Sequence, residues 1–156
     1  MANQHKDGAL DRLDHSILRV LAVEGRISVA ELARRVGRSK SPTQARLRRL
    51  EAMGVIRGYR ALLDPIALGV AHVAFVEVKL LDTREAALRA FNEAARQIPE
   101  IEECHLIAGG FDYLLKVRTE SIDAYRRVLA EDISSLPHVA STSTFVAMEA
   151  VKELGP

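Results

Sequence analysis

Residues 28–60 read SVAELARRVGRSKSPTQARLRRLEAMGVIRGYR, and this stretch restricts the fold more than any other in the chain. Ser28-Val29-Ala30-Glu31 matches a capping box: the Ser28 hydroxyl accepts from the Glu31 amide, and Glu31 reaches back to the Ser28 amide. A helix therefore begins there, with Leu32 and Val36 facing inward. Gly37 ends it, because positive φ is open to glycine. A second helix begins near Ser39 or Ser41. Pro42 is tolerated only in its first turn, where no intrahelical amide bond is lost. Before this pair, Leu10, Leu13, Ile17, Leu18 and Leu21 recur at three- and four-residue spacing, which predicts a helix from about Asp11 or Asp14 to Glu24, stopped by Gly25. Three short helices with a glycine turn before an arginine-studded third have the sequence form of a helix-turn-helix.

The third helix divides into two faces. Leu47, Leu50 and Thr43 make the inner one. Ser41, Gln44, Ala45 and Arg48, at i, i+3, i+4 and i+7, make the other. Arg46 and Arg49 flank that face, and Arg38 and Lys40 stand at its entrance. Gln reads adenine bidentately, Arg reads guanine, and Ser and Ala permit close approach to a base edge. Arg and Lys at the margins suit phosphates. Charge follows the same division: residues 1–60 hold 13 Lys and Arg against 6 Asp and Glu, a net of +7. Residues 61–156 hold 9 against 15, a net of −6. A polyanion, double-stranded DNA, is the expected partner of the first half. Tyr59 is the only aromatic there and the chain has no Trp, so a stacking platform for single strands is absent.

Val55–Leu63 reads as extended and Asp64-Pro65 as a turn. The expected organisation is a DNA-binding domain over 1–60, a linker strand and turn over 61–71, and a second domain over 72–156. In that domain Val73–Leu81 is a valine-rich strand, with Ala74, Val76, Val78 and Leu80 on one face and Val73 and Phe75 on the other. A helix over 84–98 follows. Strands over Ile101–Ala108 and Phe111–Arg118 flank Gly109-Gly110, which reads as a tight hairpin. A helix over 121–136, with Ile122, Tyr125, Leu129, Ile133 and Leu136 inward, precedes a last strand over Val139–Met148. The order βαββαβ predicts an α+β, ferredoxin-like domain with both helices on one face of its sheet. The apolar residues on the other face predict a second sheet from another subunit, hence a homodimer.

A single cysteine excludes an internal disulfide framework and, with no apolar run long enough to span a bilayer and a polar N-terminal run, points to the cytoplasm and to no membrane partner. No phosphate loop, nucleophile elbow or histidine-rich metal motif is present, so neither catalysis nor a metal or cofactor is expected. His5, His15, His72, His105 and His138 are scattered. Cys104 and His105, neighbours in a strand, point to opposite faces, and Cys104 reads as a core residue. Glu102 and Glu103 read as solvated edge charges. The competing reading is an architectural DNA-binding protein that answers to no ligand.

Two runs carry a resemblance to a known family. One is Gly25-Arg26-Ile27-Ser28, Glu31-Leu32-Ala33, Val36-Gly37, Arg46, Arg49-Leu50-Glu51 and Gly54-Val55-Ile56. The other is Glu103-Cys104-His105 with Gly109-Gly110-Phe111-Asp112-Tyr113-Leu114-Leu115-Lys116-Val117. At this separation they resemble the Lrp/AsnC, or feast/famine, transcriptional regulators over nearly the whole chain. The resemblance implies a winged-type helix-turn-helix and a βαββαβ effector domain. It implies dimers that assemble into tetramers or octamers, and an amino acid or similar metabolite bound between effector domains. The implied effector residues are Leu106, Gly109, Gly110, Phe111, Asp112, Ile122, Phe145, Val146 and Ala147. The glycine-rich turn offers amides to a carboxylate, and Asp112 offers a partner for an ammonium group. Many members carry an acidic residue where this chain has Gly110. The Gly-Gly-Phe-Asp-Tyr form with Lys40-Ser41-Pro42-Thr43 looks similar to regulators of proline utilisation, which makes proline a candidate effector.

Overall fold

The first helix, α1 (Arg12–Val23), is capped by its own side chains. The Asp11 carboxylate accepts from the amides of Leu13 and Asp14, and the Asp14 carboxylate accepts from the Asp11 amide. This is a complete capping box, one helix earlier than the sequence indicates. At the second helix, α2 (Val29–Arg35), only half of the expected box forms. Ser28 accepts from Glu31, while the Glu31 carboxylate turns to Arg34 and Arg35 instead, because two guanidinium groups one turn away outbid a single amide. The computed structural model of the protein describes residues 9–153, so His5 and the last three residues of the expected effector domain lie outside it. The chain divides after Ala61 into two compact units.

Gly37 at φ +67° closes α2. Its amide and that of Arg38 return to the carbonyls of Arg34 and Ala33, the two bonds of a Schellman motif. The chain then enters α3 (Lys40–Ala52), with Pro42 in the first turn. Ile17, Leu32 and Leu50 are fully buried where the three helices meet, with Leu13, Leu21 and Val36 packed around them. After α3 the Val55–Leu63 segment forms no strand, because no other part of the unit offers it a ladder. Tyr59 folds back instead: its hydroxyl donates to Glu51 at 2.8 Å and its ring approaches Gly25. Residues 65–69, within the expected linker strand and turn, are a turn.

The second unit is a four-stranded antiparallel sheet, β1 (His72–Leu80), β2 (Ile101–Leu106), β3 (Tyr113–Thr119) and β4 (Val139–Val146), in the order β2-β3-β1-β4. Helices α4 (Glu85–Ala95) and α5 (Ile122–Glu131) are the two crossovers. This is the ferredoxin-like arrangement. Its core joins Ala74, Val76, Val78, Leu115 and Val117 to Phe91 and Tyr125 of the helices. Past α5, a separate 3-10 turn (Ile133–Ser135) replaces the last turn of the expected helix. Gly109 and Gly110 lie in a six-residue connection, 107–112, rather than a two-residue hairpin.

The free face of the sheet differs from the expected apolar one. Val73 and Phe75 alternate into Glu77 and Lys79 along β1, and Phe145 is followed back along β4 by Ser143 and Ser141. Beside them on β3 stand Lys116 and Arg118, whose cations meet the carboxylates of Glu102 and of Glu153 from the C-terminal segment. Glu102 is thus a paired, largely buried residue and not a solvated edge charge. Cys104, on edge strand β2, is exposed, not core. Ile122 is 47% exposed at the start of α5 and does not face inward.

Candidate nucleic-acid interface and effector sites

At roughly 100° per residue, a helix packed through Thr43, Leu47 and Leu50 turns Ser41, Ala45 and Arg48 to the far side. In the structure Thr43 and Leu50 are buried, and Ser41, Ala45 and Arg48 are exposed. Gln44 sits half-buried at the margin of that face. Among the described residues Arg38, Lys40 and Arg48 take part in no ion pair, so their charges are available to a polyanion.

Arg46 and Arg49 are placed otherwise. Both guanidinium groups turn toward α1 and meet the carboxylate of Asp14, which is 0% exposed. Arg46 donates to Asp14 Oδ1 at 3.1 Å and also to Asp11, and Arg49 donates to Asp14 Oδ2 at 2.5 Å. The helical period explains this for Arg46, which falls three residues after Thr43 and four before Leu50, nearer the inner face than the outer. The sequence reading gave both arginines to phosphates; in the structure their partners are carboxylates of their own unit. Burial alone raises the Asp14 carboxyl's pKa; the Asp11 amide and the two guanidinium groups outweigh it and hold the group below the usual carboxylate range. Asp14 escaped the sequence reading, although a signal was present. It lies four residues after Leu10 and three before Ile17, inside the apolar stripe, where an acidic side chain has to be paired.

The expected effector residues fall into two groups. Leu106, Gly109, Gly110, Phe111 and Asp112 lie where β2 passes to β3, beside the C-terminal end of β1. There Asp112 donates its amide to Val78 and accepts the Leu80 amide on Oδ2 at 2.7 Å. One carboxylate oxygen thus extends the β1–β3 ladder past its last register pair, Val78 and Tyr113. Phe145, Val146 and Ala147 lie at the opposite end of β1, beside Val73 and Ala74, and Ile122 follows β3 at that same end. Three or more residues of β1 separate the groups, about 10 Å or more along the strand. Within one subunit the two groups do not meet.

Two family models divide the chain in the same way. The model described as "Winged helix-turn-helix DNA-binding" matches residues 10–57, and that described as "Lrp/AsnC ligand binding domain" matches residues 73–156. The chain belongs to the Lrp/AsnC family of transcriptional regulators. It is 61% identical over 155 residues to the proline dehydrogenase transcriptional activator of Rhizobium radiobacter, covering 99% of both chains. It is 59% identical to the activator of the same name from Rhodobacter capsulatus, covering 92% of this chain and 94% of that one. The dehydrogenase in those names is the regulated gene's product, not their own activity. Among solved structures, a transcriptional regulator of Neisseria meningitidis in complex with L-Met superposes with a TM-score of 0.86 at 31% identity, covering 93% of this chain and 94% of that one. The protein is therefore an Lrp-family, DNA-binding transcriptional regulator. No helix among the described residues is long and apolar enough to cross a membrane.

Proposed function

We propose that α3 lies in the major groove of an operator with Ser41, Ala45 and Arg48 toward base edges, Gln44 at the edge of the contact, and Arg38 and Lys40 on phosphates. The observation that carries this is the pairing pattern on and before α3. The cations on its outer face and at its entrance are free, while those on its inner flank are neutralised. Arg46 and Arg49 then shape the interface from behind. Arg48→Ala should weaken binding to a selected operator duplex by about 1–3 kcal/mol while leaving affinity for random DNA nearly unchanged. Equal loss on both DNAs, with a salt dependence shallower by about one unit, would make Arg48 a phosphate contact instead.

The effector is an amino acid, taken by the βαββαβ unit, and the site is completed by two copies of the chain. The separation of the Gly109–Asp112 group from the Ile122 and Phe145–Ala147 group supports this, since one small ligand spans both only where one copy's loop meets another copy's strand end. Exposed Leu62, Leu63, Ile66 and Leu68 and the half-exposed Phe75 and Phe145 supply apolar surface for such homo-oligomers. The L-Met complex of the Neisseria regulator supports the ligand class, and the names of the Rhizobium and Rhodobacter activators make proline the first ligand to try. Binding shifts the assembly state and so operator affinity; a coupling of about 1–3 kcal/mol gives roughly 5–150-fold. Calorimetry of the full chain against twenty amino acids tests this. A saturable site for at least one supports it, and heat from none leaves the ligand-independent reading ahead. The expected location is the cytoplasm, where the operator is.

A further inference from the structure

The hydrophobic contact holding α3 to the rest of its unit is thin. Among the described residues its apolar centre is Ile17, Leu32 and Leu50, with partly buried side chains such as Leu13, Leu21 and Val36 around it. Apolar contact is non-directional, so such a stripe leaves rotation of α3 about its own axis weakly opposed. Rotation matters at the outer face. With side chains at a helix radius of about 5–6 Å, a turn of about 20° moves a side-chain tip by about 2 Å, enough to break a base contact.

Asp14 supplies direction. Its carboxylate is pinned to the N-terminus of α1 by the Asp11 amide at 3.0 Å, and it holds α3 at two points one turn apart, Arg46 and Arg49. We infer that Asp14 is a positioning residue for DNA reading: it sets the rotation of α3 and withholds the Arg49 charge from the phosphates. This rests on the reading of α3 as the groove-entering helix. A buried ion pair adds little net stability because desolvation offsets attraction, which agrees with a role in pose. The two effects act together on discrimination. Loss of Asp14's charge loosens the base-reading face and frees Arg49 for any DNA, while Arg46 keeps the Asp11 carboxylate as a partner.

The test uses the full chain, a duplex selected by the wild-type protein from a random pool, and poly(dI-dC), with binding followed by anisotropy at salt from about 50 to 200 mM. Asp14→Asn keeps the shape and removes the charge. The specific-to-nonspecific ratio should fall by about tenfold or more. On poly(dI-dC) the plot of log K against log salt should steepen by about one unit as the freed Arg49 takes up a phosphate. A residue with a merely structural role would weaken both DNAs alike with no steepening. A ratio within about twofold of wild type and an unchanged slope overturn the inference. Should Asp14→Asn fail to fold by circular dichroism, the charge-neutral variant Asp14→Asn/Arg46→Gln/Arg49→Gln replaces it. A fall in ratio without steepening supports the inference, and a retained ratio overturns it. Arg48→Ala, run alongside, separates the two readings. If it leaves specific binding intact, the placement of α3 fails; if it abolishes specific binding while Asp14→Asn behaves as wild type, the role of Asp14 alone fails.

Discussion

Among the described residues the two units each bury one charged side chain, with opposite signs. In the DNA-binding unit a carboxylate, Asp14, is served by two arginines that remain 32% and 43% exposed. In the effector unit a guanidinium, Arg118, with its side chain 5% exposed, is served by Glu102 and Glu153, each only 17% exposed. Arg118 also donates to the Val70 carbonyl, and Lys116 shares both carboxylates. What is left after the central charge is removed therefore differs. Without Asp14 the arginines can turn to water or to DNA. Without Arg118 the glutamates remain largely buried with Lys116 as their one cation. The first arrangement suits a surface that meets a polyanion. The second ties the C-terminal segment, through Glu153, to the free face of the sheet.

Arg118→Ala tests this contrast most severely. Removing one partner of a buried pair costs about 3–5 kcal/mol, since the other is left desolvated. Asp14→Ala should cost less, about 1–2 kcal/mol, most of it the lost half of the α1 capping box. Native-state hydrogen exchange of the full chain reads both, through β3 amides for one and α1 amides for the other. Equal costs would mean that the exposure of the leftover charges does not govern the outcome.

Acid acts on both clusters with the same sign. The Lys116 ammonium, and after it Arg118, hold Glu153 below its ordinary 4.5, and Asp14 lies below its ordinary 3.8. A carboxylate lowered on folding contributes stability that is complete above its unfolded pKa and is lost as pH falls through the folded value. Neither cluster should respond between pH 7 and about 5, and both should weaken below about pH 4. The effector unit's melting temperature should fall less steeply in that acid range in Arg118→Ala than in wild type, because part of Glu153's stabilisation is already gone. Parallel curves would assign the acid sensitivity to other carboxylates.

The helices and strands were legible in the sequence because one period governs each: three- and four-residue spacing from Leu10 to Leu21, and alternation from Ala74 to Leu80. The outer face of α3 was legible for the same reason. What escaped was every feature that depends on a partner distant in sequence. Arg46 and Arg49 look like other surface arginines until Asp14, more than thirty residues earlier, is folded against them. Glu102 looks like an edge charge until Glu153 and Arg118 arrive. Asp112 was open to a backbone amide as well as to a ligand, and that the amide is Leu80's could not be named before the end of β1 was placed beside it. Alternation beyond Phe75 runs through Glu77 and Lys79, but the sequence reading stopped at Val73 and Phe75 and so expected an apolar free face.

The smallest effect belongs to the pair with the clearest ionisation signature. Glu31 accepts from Arg34 at 2.6 and 2.8 Å and from Arg35 at 3.1 Å, and these bonds, Arg34's first, lower its carboxyl to about 2. A shift of that size suggests a strong tie, yet each group lies on the surface of α2 with water as an alternative partner, and exposed pairs contribute little once solvent and salt screen them. Glu31→Gln keeps the amide that Ser28 caps and removes the charge. At about 0.15 M salt its urea midpoint should match wild type within error, and only at low ionic strength should a difference emerge. A shift at 0.15 M as large as that of Asp14→Ala would show that the number of charged partners, and not the burial of what remains, sets the worth of an ion pair in this protein.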